Sequence, residues 1–160
     1  MKKVLDPQCT LIFEKYFPYE ASTRGGSKVL LGIGGNMGDV VRRFEHLFHY
    51  FKRDARVHVI ETAPILKNPP FGYLEQEDFY NSLLLVETAL TPKALLRYIL
   101  HTEKRFGRKR LFKDAPRTLD IDMIFYENIS MQTERLTLPH PGWMQRDSVL
   151  TPLSYMKGQI

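Results

Sequence analysis

The chain has 160 residues, 43% of them hydrophobic and 26% charged, which allows one domain with its own core and excludes a disordered or fibrous protein. No run approaches the ~18 uninterrupted apolar residues of a membrane span, and the start, MKKVLDPQCTLIF, breaks at Asp6 and Pro7 with no small-residue cleavage site, so a soluble, cytoplasmic protein with no membrane partner is expected. The net charge of +5 and isoelectric point near 9.3 point to an anionic partner, and the single cysteine, Cys9, excludes an internal disulfide.

Residues 1–27, closing on the turn-like GGS, read as an N-terminal arm ahead of a domain spanning 28–160. Residues 28–33 (KVLLGI) form a short apolar run ending in glycines, the pattern of a buried strand. The following GIGGNMGD matches neither the dinucleotide fingerprint nor the P-loop. It reads as a tight strand-to-helix turn in which Asn36 or Asp39 bonds the backbone. Val40, Val41, Phe44, Leu47, Phe48 and Phe51 then recur at helical spacing behind an Asp39 cap. Residues 57–62 (VHVIET) and 82–88 (SLLLVET) read as strands. A second helix starts at Thr91-Pro92, buries Leu95, Leu96, Ile99 and Phe106, and stops at Gly107. Residues 119–126 (LDIDMIFY) give a fourth strand. A hairpin near 129–138 and a short helix within GWMQRDSVLTPLSYM complete the chain.

The order strand, helix, strand, strand, helix, strand predicts an α+β protein of ferredoxin-like βαββαβ type. Its antiparallel sheet would carry helices on one face and leave the other open for a site. Two long loops, 63–76 and 108–115, are expected to reach that open face.

The chemistry concentrates in PRTLDIDM, residues 116–123. In an extended strand Asp120 and Asp122 share one face, while Leu119, Ile121 and Met123 take the other. Carboxylates that close need a cation or proton between them. Oxygen-only donors favour magnesium, typically held jointly with substrate phosphates. Lys104, Arg105, Arg108, Lys109, Arg110, Lys113 and Arg117 crowd the segment just ahead, so a magnesium-polyphosphate site is favoured over a structural ion-pair network. His46, His49, His58 and His101 lack zinc spacing and read as surface or packing residues. A basic ferredoxin-like domain could instead bind nucleic acid, or act as a metal-dependent nuclease. Carboxylates on the fourth strand would repel a nucleic-acid backbone, and a nuclease gives no reason for Asn81 or PHPGWMQR.

Five motifs in order, GIGGNMGD, EDFYNSLLLVET, EKRFGRKR, APRTLDIDMIFY and RLTLPHPGWMQRDSVLTPL, resemble those of the 6-hydroxymethyl-7,8-dihydropterin pyrophosphokinase family of folate biosynthesis. The likeness runs from about residue 28 to 153. It implies transfer of pyrophosphate from ATP to the pterin hydroxymethyl, with AMP leaving, by a monomer acting on small molecules and not on nucleic acid. By that resemblance Asp120 and Asp122 hold two Mg2+ ions, and Arg108 and Arg117 are catalytic with them. Thr62, Ala63, Pro64, Ile65, Phe79 and Asn81 match the pterin pocket. Glu103, Arg108, Arg110, Arg117, Met123, Arg135, Thr137, His140 and Arg146 match ATP contacts. The chain departs from the family where a tryptophan and glycine are often found, having Asp114 and Ala115 there, with Phe112 as the candidate lid aromatic. It also has Ser148 where an aromatic commonly stacks on the pterin, a role Trp143 or Phe71 could fill.

Overall fold

The structure, a computed structural model, describes residues 1–70, 72–109 and 111–157. Alternating and continuous apolar runs become strands β1 (Lys2–Asp6), β2 (Cys9–Ile12), β3 (Tyr19–Glu20), β4 (Ser27–Gly35), β5 (His58–Thr62), β6 (Ile65–Asn68), β7 (Phe79–Thr88), β8 (Asp120–Tyr126), β9 (Met131–Gln132) and β10 (Thr137–Leu138). The helices are α1 (Val40–Lys52), α2 (Pro92–Arg105) and α3 (Asp147–Leu153), with a 3-10 turn at Trp143–Gln145. The main sheet runs β1-β2-β6-β7-β4-β8, with β5 also on β7 and β3 on β5, and every one of these pairings is antiparallel. Mixed helix and antiparallel sheet make this an α+β arrangement. Among the described residues, no helix is long and apolar enough to cross a membrane.

Both long helices start where their caps predict. The Asp39 carboxylate accepts from Arg42 N at 3.1 Å, and the Thr91 hydroxyl accepts from Ala94 N at 3.2 Å just before Pro92. Gly107 follows α2 with φ +84°, a conformation that favours glycine. Phe44, Leu47, Phe48 and Phe51 of α1 and Leu95 and Ile99 of α2 pack on Val29, Leu31, Ile33, Val86, Ile121 and Met123 to form the main core. Phe44 is fully buried there. Phe44→Ala should therefore cost about 3–5 kcal/mol in a urea or thermal unfolding experiment.

Several elements differ from the sequence expectation. β4 continues through Gly34 and Gly35 instead of turning at them, because both glycines are needed for close approach. A Cβ on Gly34 would lie 2.6 Å from Asn81 Oδ1, and one on Gly35 would lie 2.6 Å from the Thr118 carbonyl oxygen. β7 starts at Phe79, three residues before the predicted strand, and the presumed loop 63–76 contains β6. Residues 1–20 supply three strands: the β1–β2 hairpin pairs onto β6, and β3 onto β5. Tyr16 stacks on Phe48 at 4.6 Å.

The second sheet face is only partly open. Leu30, Ile60, Leu83, Leu85 and Ile124 pack there beneath Val149 of α3, flanked by Trp143 and Leu153. A bulge between the Leu30–Phe125 and Leu31–Met123 pairs puts the extra residue at Ile124, which turns Ile124 and Phe125 towards this second layer. Strand alternation ahead of the bulge puts Asp120 and Asp122 on the same side as Ile124, with Ile121 and Met123 in the helix-side core.

Candidate active site

β8 lies beside β4, with Asp122 opposite Gly32 and Asp120 opposite Gly34. The absence of side chains on those glycines leaves room above them. Asp120 and Asp122 line a small cavity of about 50 Å3 there, shared with Asn81 and Ser82 of β7 and with Arg146 and Ser148 at the start of α3. That volume is far below the ~300–1,000 Å3 of a typical ligand site.

Charge is finely divided across this patch. Burial first, and the neighbouring Asp120 charge second, push the Asp122 carboxyl up to about 7, against the opposing pull of Arg146. Asp120 is better served: Arg117 Nη1 donates to its Oδ2 at 3.1 Å, and Arg108 Nη1 lies 3.5 Å from its Oδ1. Arg117 also bonds the Ala115 carbonyl through Nε at 3.0 Å and lies over the Phe79 ring, 5.2 Å from its centroid. Arg108 reaches the Leu119 carbonyl and the Glu103 carboxylate, both at 3.3 Å, while its buried Nε makes no hydrogen bond among the described residues.

Glu103 is buried on α2, and its Oε2 accepts from Ile121 N at 2.7 Å. That bond pins β8 at the residue between the two aspartates. Glu103→Ala should cost about 3 kcal/mol of stability, because it removes a partner from both a buried amide and Arg108. Glu103→Gln, which keeps an acceptor for the amide, should cost less, and denaturant midpoints separate the two.

The remaining predicted residues fall into three groups. Thr62, Ala63, Pro64 and Ile65 are all buried between β5 and β6. The Ser82 hydroxyl bonds the Ala63 and Pro64 carbonyls at 2.9 and 3.2 Å. Phe79 is buried, and Asn81 donates through Nδ2 to Asn68 Oδ1 at 2.7 Å. On the other side His140 follows β10, with its ring Nδ1 accepting from Gly142 N at 3.1 Å. Burial and the Arg146 charge pull its pKa down, leaving it neutral at pH 7. Met123 faces the core, Thr137 lies in β10, and Arg135 is exposed on the β9–β10 hairpin, so these three are not drawn into the carboxylate cavity. Arg110 and Phe71 lie outside the described residues. Trp143 packs edge-on against Phe125 at 4.8 Å. Phe112 is exposed and meets Tyr73 edge-on at 5.3 Å.

A carboxamide relay beside the site was not singled out from sequence. Asn36 Oδ1 accepts from Arg117 N at 2.9 Å, its Nδ2 donates to Gln76 Oε1 at 2.8 Å, and Gln76 Nε2 donates to the Asp114 carbonyl at 3.0 Å. It ties the end of β4 to both long loops. The polar spacing in GIGGNMGD hinted at Asn36, but nothing local marked Gln76 or Asn68. Among the described residues no group of three or more His, Cys, Asp or Glu is placed to hold a metal, so a cation on Asp120 and Asp122 would draw further oxygens from a ligand.

The chain is similar to a 2-amino-4-hydroxy-6-hydroxymethyldihydropteridine pyrophosphokinase of Helicobacter pylori, 39% identical over 148 residues covering 90% of this chain and 91% of that protein. A protein of the same name from Campylobacter jejuni is 39% identical over 145 residues, 88% of this chain and 92% of the other. A folic acid synthesis protein of Dictyostelium discoideum is 37% identical over 134 residues, 83% of this chain but 20% of that longer protein. Residues 30–158, which carry both aspartates, Asn81, Glu103 and the arginines around them, match the 7,8-dihydro-6-hydroxymethylpterin-pyrophosphokinase family. The chain belongs to that family.

Proposed function

We propose that the chain transfers the pyrophosphoryl group of ATP to the hydroxymethyl oxygen of 6-hydroxymethyl-7,8-dihydropterin, releasing AMP, as a step of folate biosynthesis. Family membership over residues 30–158 carries the reaction class. The site reading rests on Asp120 and Asp122 sharing one cavity with Asn81. No observation favours nucleic acid as partner. Residues 28–160 are taken as the catalytic domain, with β4, β5, β7 and β8 and helices α1 and α2 as its ferredoxin-like core and residues 1–27 as an arm. It would act as a cytoplasmic monomer on small molecules.

The donor set at the carboxylates fits magnesium. Both aspartates offer only oxygen, and Asp122 is raised by burial and by the Asp120 charge, of which the second would be offset by a bound cation. Two magnesium ions bound by Asp120 and Asp122 would neutralise the ATP phosphates and acidify the attacking hydroxyl.

The chain's own side chains do the rest. Arg108, with its unpartnered buried Nε, and Arg117 exchange carboxylate contacts for phosphate oxygens and stabilise charge spreading over the transferred group. Glu103 holds the backbone between the aspartates at a fixed height. Arg110, Arg135, Thr137, His140, Arg146 and Met123 are assigned to the nucleotide. Asn81 presents an amide to the donor-acceptor edge of the pterin, Phe79 offers a ring face, and the backbone of residues 62–65 lines the far wall. Closure of the two loops excludes water, the competing acceptor.

The test is AMP formation from ATP and the pterin. AMP should appear only with both substrates and magnesium present, beside RNA-binding and RNA-cleavage controls that stay blank. AMP released equally well without the pterin, or RNA cleavage in its place, would overturn the reading.

A further inference from the structure

On the helix side of the sheet, the C-terminal ends of α1 and α2 bound an open groove of about 550 Å3, against about 50 Å3 beside Asp122. This volume lies within the ~300–1,000 Å3 range of small-molecule sites. Its floor includes Tyr50 and Phe106, which meet edge-to-face at 5.7 Å. His46 and Arg53 line it from the α1 side, and His101 and Arg105 from α2, with the Arg105 guanidinium 5.9 Å from the Tyr50 ring centroid.

The acidic lining residue is already engaged. Asp54 accepts two bonds from Arg56, Nε to Oδ1 at 3.0 Å and Nη2 to Oδ2 at 2.8 Å. Arg53 and Arg105 have no ion pair or side-chain hydrogen bond among the described residues. Complementing the helix dipoles explains basic residues at helix ends. It does not explain why they line one concavity around an aromatic floor. Guanidinium forks in that position match phosphate oxygens, and the half-buried Tyr50 and Phe106 rings offer an apolar surface to a base or sugar.

We propose that this groove is a second, non-catalytic site for a phosphorylated small molecule of nucleotide size. It stands apart from the reaction proposed above, and Arg105 and Phe106 lie only three and two residues before Arg108, at the root of the basic loop.

Ring proton–carbon spectra of the five histidines test it without any activity readout. In titrations of the full chain with AMP, free of magnesium, His46 and His101 signals should shift saturably in the millimolar range, whereas adenosine should leave them in place. Arg53→Glu combined with Arg105→Glu should abolish that response. The milder Arg53→Gln with Arg105→Gln should weaken it by about tenfold and guards against a misfolded variant. His46 and His101 signals that ignore AMP, move equally with adenosine, or respond unchanged in both double variants would overturn the site. The failure of AMP formation in the assay above would leave this result untouched, so the two readings fail separately.

Discussion

Asp122→Asn should stop turnover and at the same time stabilise the ligand-free protein at neutral pH. The first effect follows from its proposed role: removing one of two carboxylates that would carry the cations takes several kcal/mol from the transition state, about 10^3-fold in kcat. The second follows from the raised carboxyl. Its folded pKa is about 7, and an unfolded aspartate titrates near ~3.9. The native state thus binds the extra proton between those values, so wild-type stability falls as pH rises from about 4 to about 7, and the full penalty is present above that. Asparagine carries no such penalty. Three pKa units bound the difference at about 4 kcal/mol. Urea midpoints of both proteins, in the absence of magnesium, should diverge modestly at pH 5, by about a third of the full difference, and by nearly all of it at pH 8. A variant equally stable at both values relative to wild type would mean that Asp122 is not held against its charge. Full AMP release by the variant would remove it from the catalytic machinery.

Arg117→Ala is the second large effect. Arg117 spans three groups at once, the Asp120 carboxylate, the Ala115 carbonyl and the Phe79 ring, and it thereby stands between the proposed metal carboxylates and the proposed pterin pocket. Its loss should lower kcat about 10^2-fold or more, with a smaller change in the KM for ATP, if its main work is on charge that develops during transfer. Arg117→Lys should recover only part of the rate, because a point charge cannot reproduce the planar fork. The pair is mostly buried, its side chains 17% and 22% exposed, so Arg117→Ala should also lower stability and Arg117→Lys less so, with Arg108 still facing Asp120. Steady-state kinetics beside a melting curve separates these effects. A rise in KM alone would make Arg117 a binding residue only.

How much of this was readable from sequence depends on the range of each interaction. The caps at Asp39 and Thr91, the α1 aromatic stripe and the alternation around Asp120 and Asp122 are local signals, and the structure carries them where the residues predict. What could not be read involves partners far apart in the chain. Gly34 and Gly35 looked like turn residues because nothing nearby discloses that Asn81 and Thr118 pass within contact of them. β6 hid in a proline-rich stretch because its strand character comes from being clamped between β2 and β7, more than 50 and about 15 residues away in sequence. The closed second face has the same origin: α3 covers it only after the chain has returned from the β9–β10 hairpin. For the site, residue types placed the carboxylates and arginines. The supporting bonds from Ser82, Asn68 and Gln76 are all long-range and left no local mark.

The N-terminal hairpin gains a meaning from where it attaches. β6 continues directly from the segment 62–65 and is hydrogen-bonded on one edge to β7, which carries Asn81, and on the other to β2, in the register Ile12 to Ile65, Leu11 to Leu66 and Thr10 to Lys67. Leu11 and Ile12 are buried, so this seam is sealed by apolar contact as well as by backbone bonds. A strand gripped along both borders cannot slip by one residue without turning every side chain to the wrong face. The first thirteen residues thus act as a splint on the floor of the proposed pterin pocket, setting its alignment from outside.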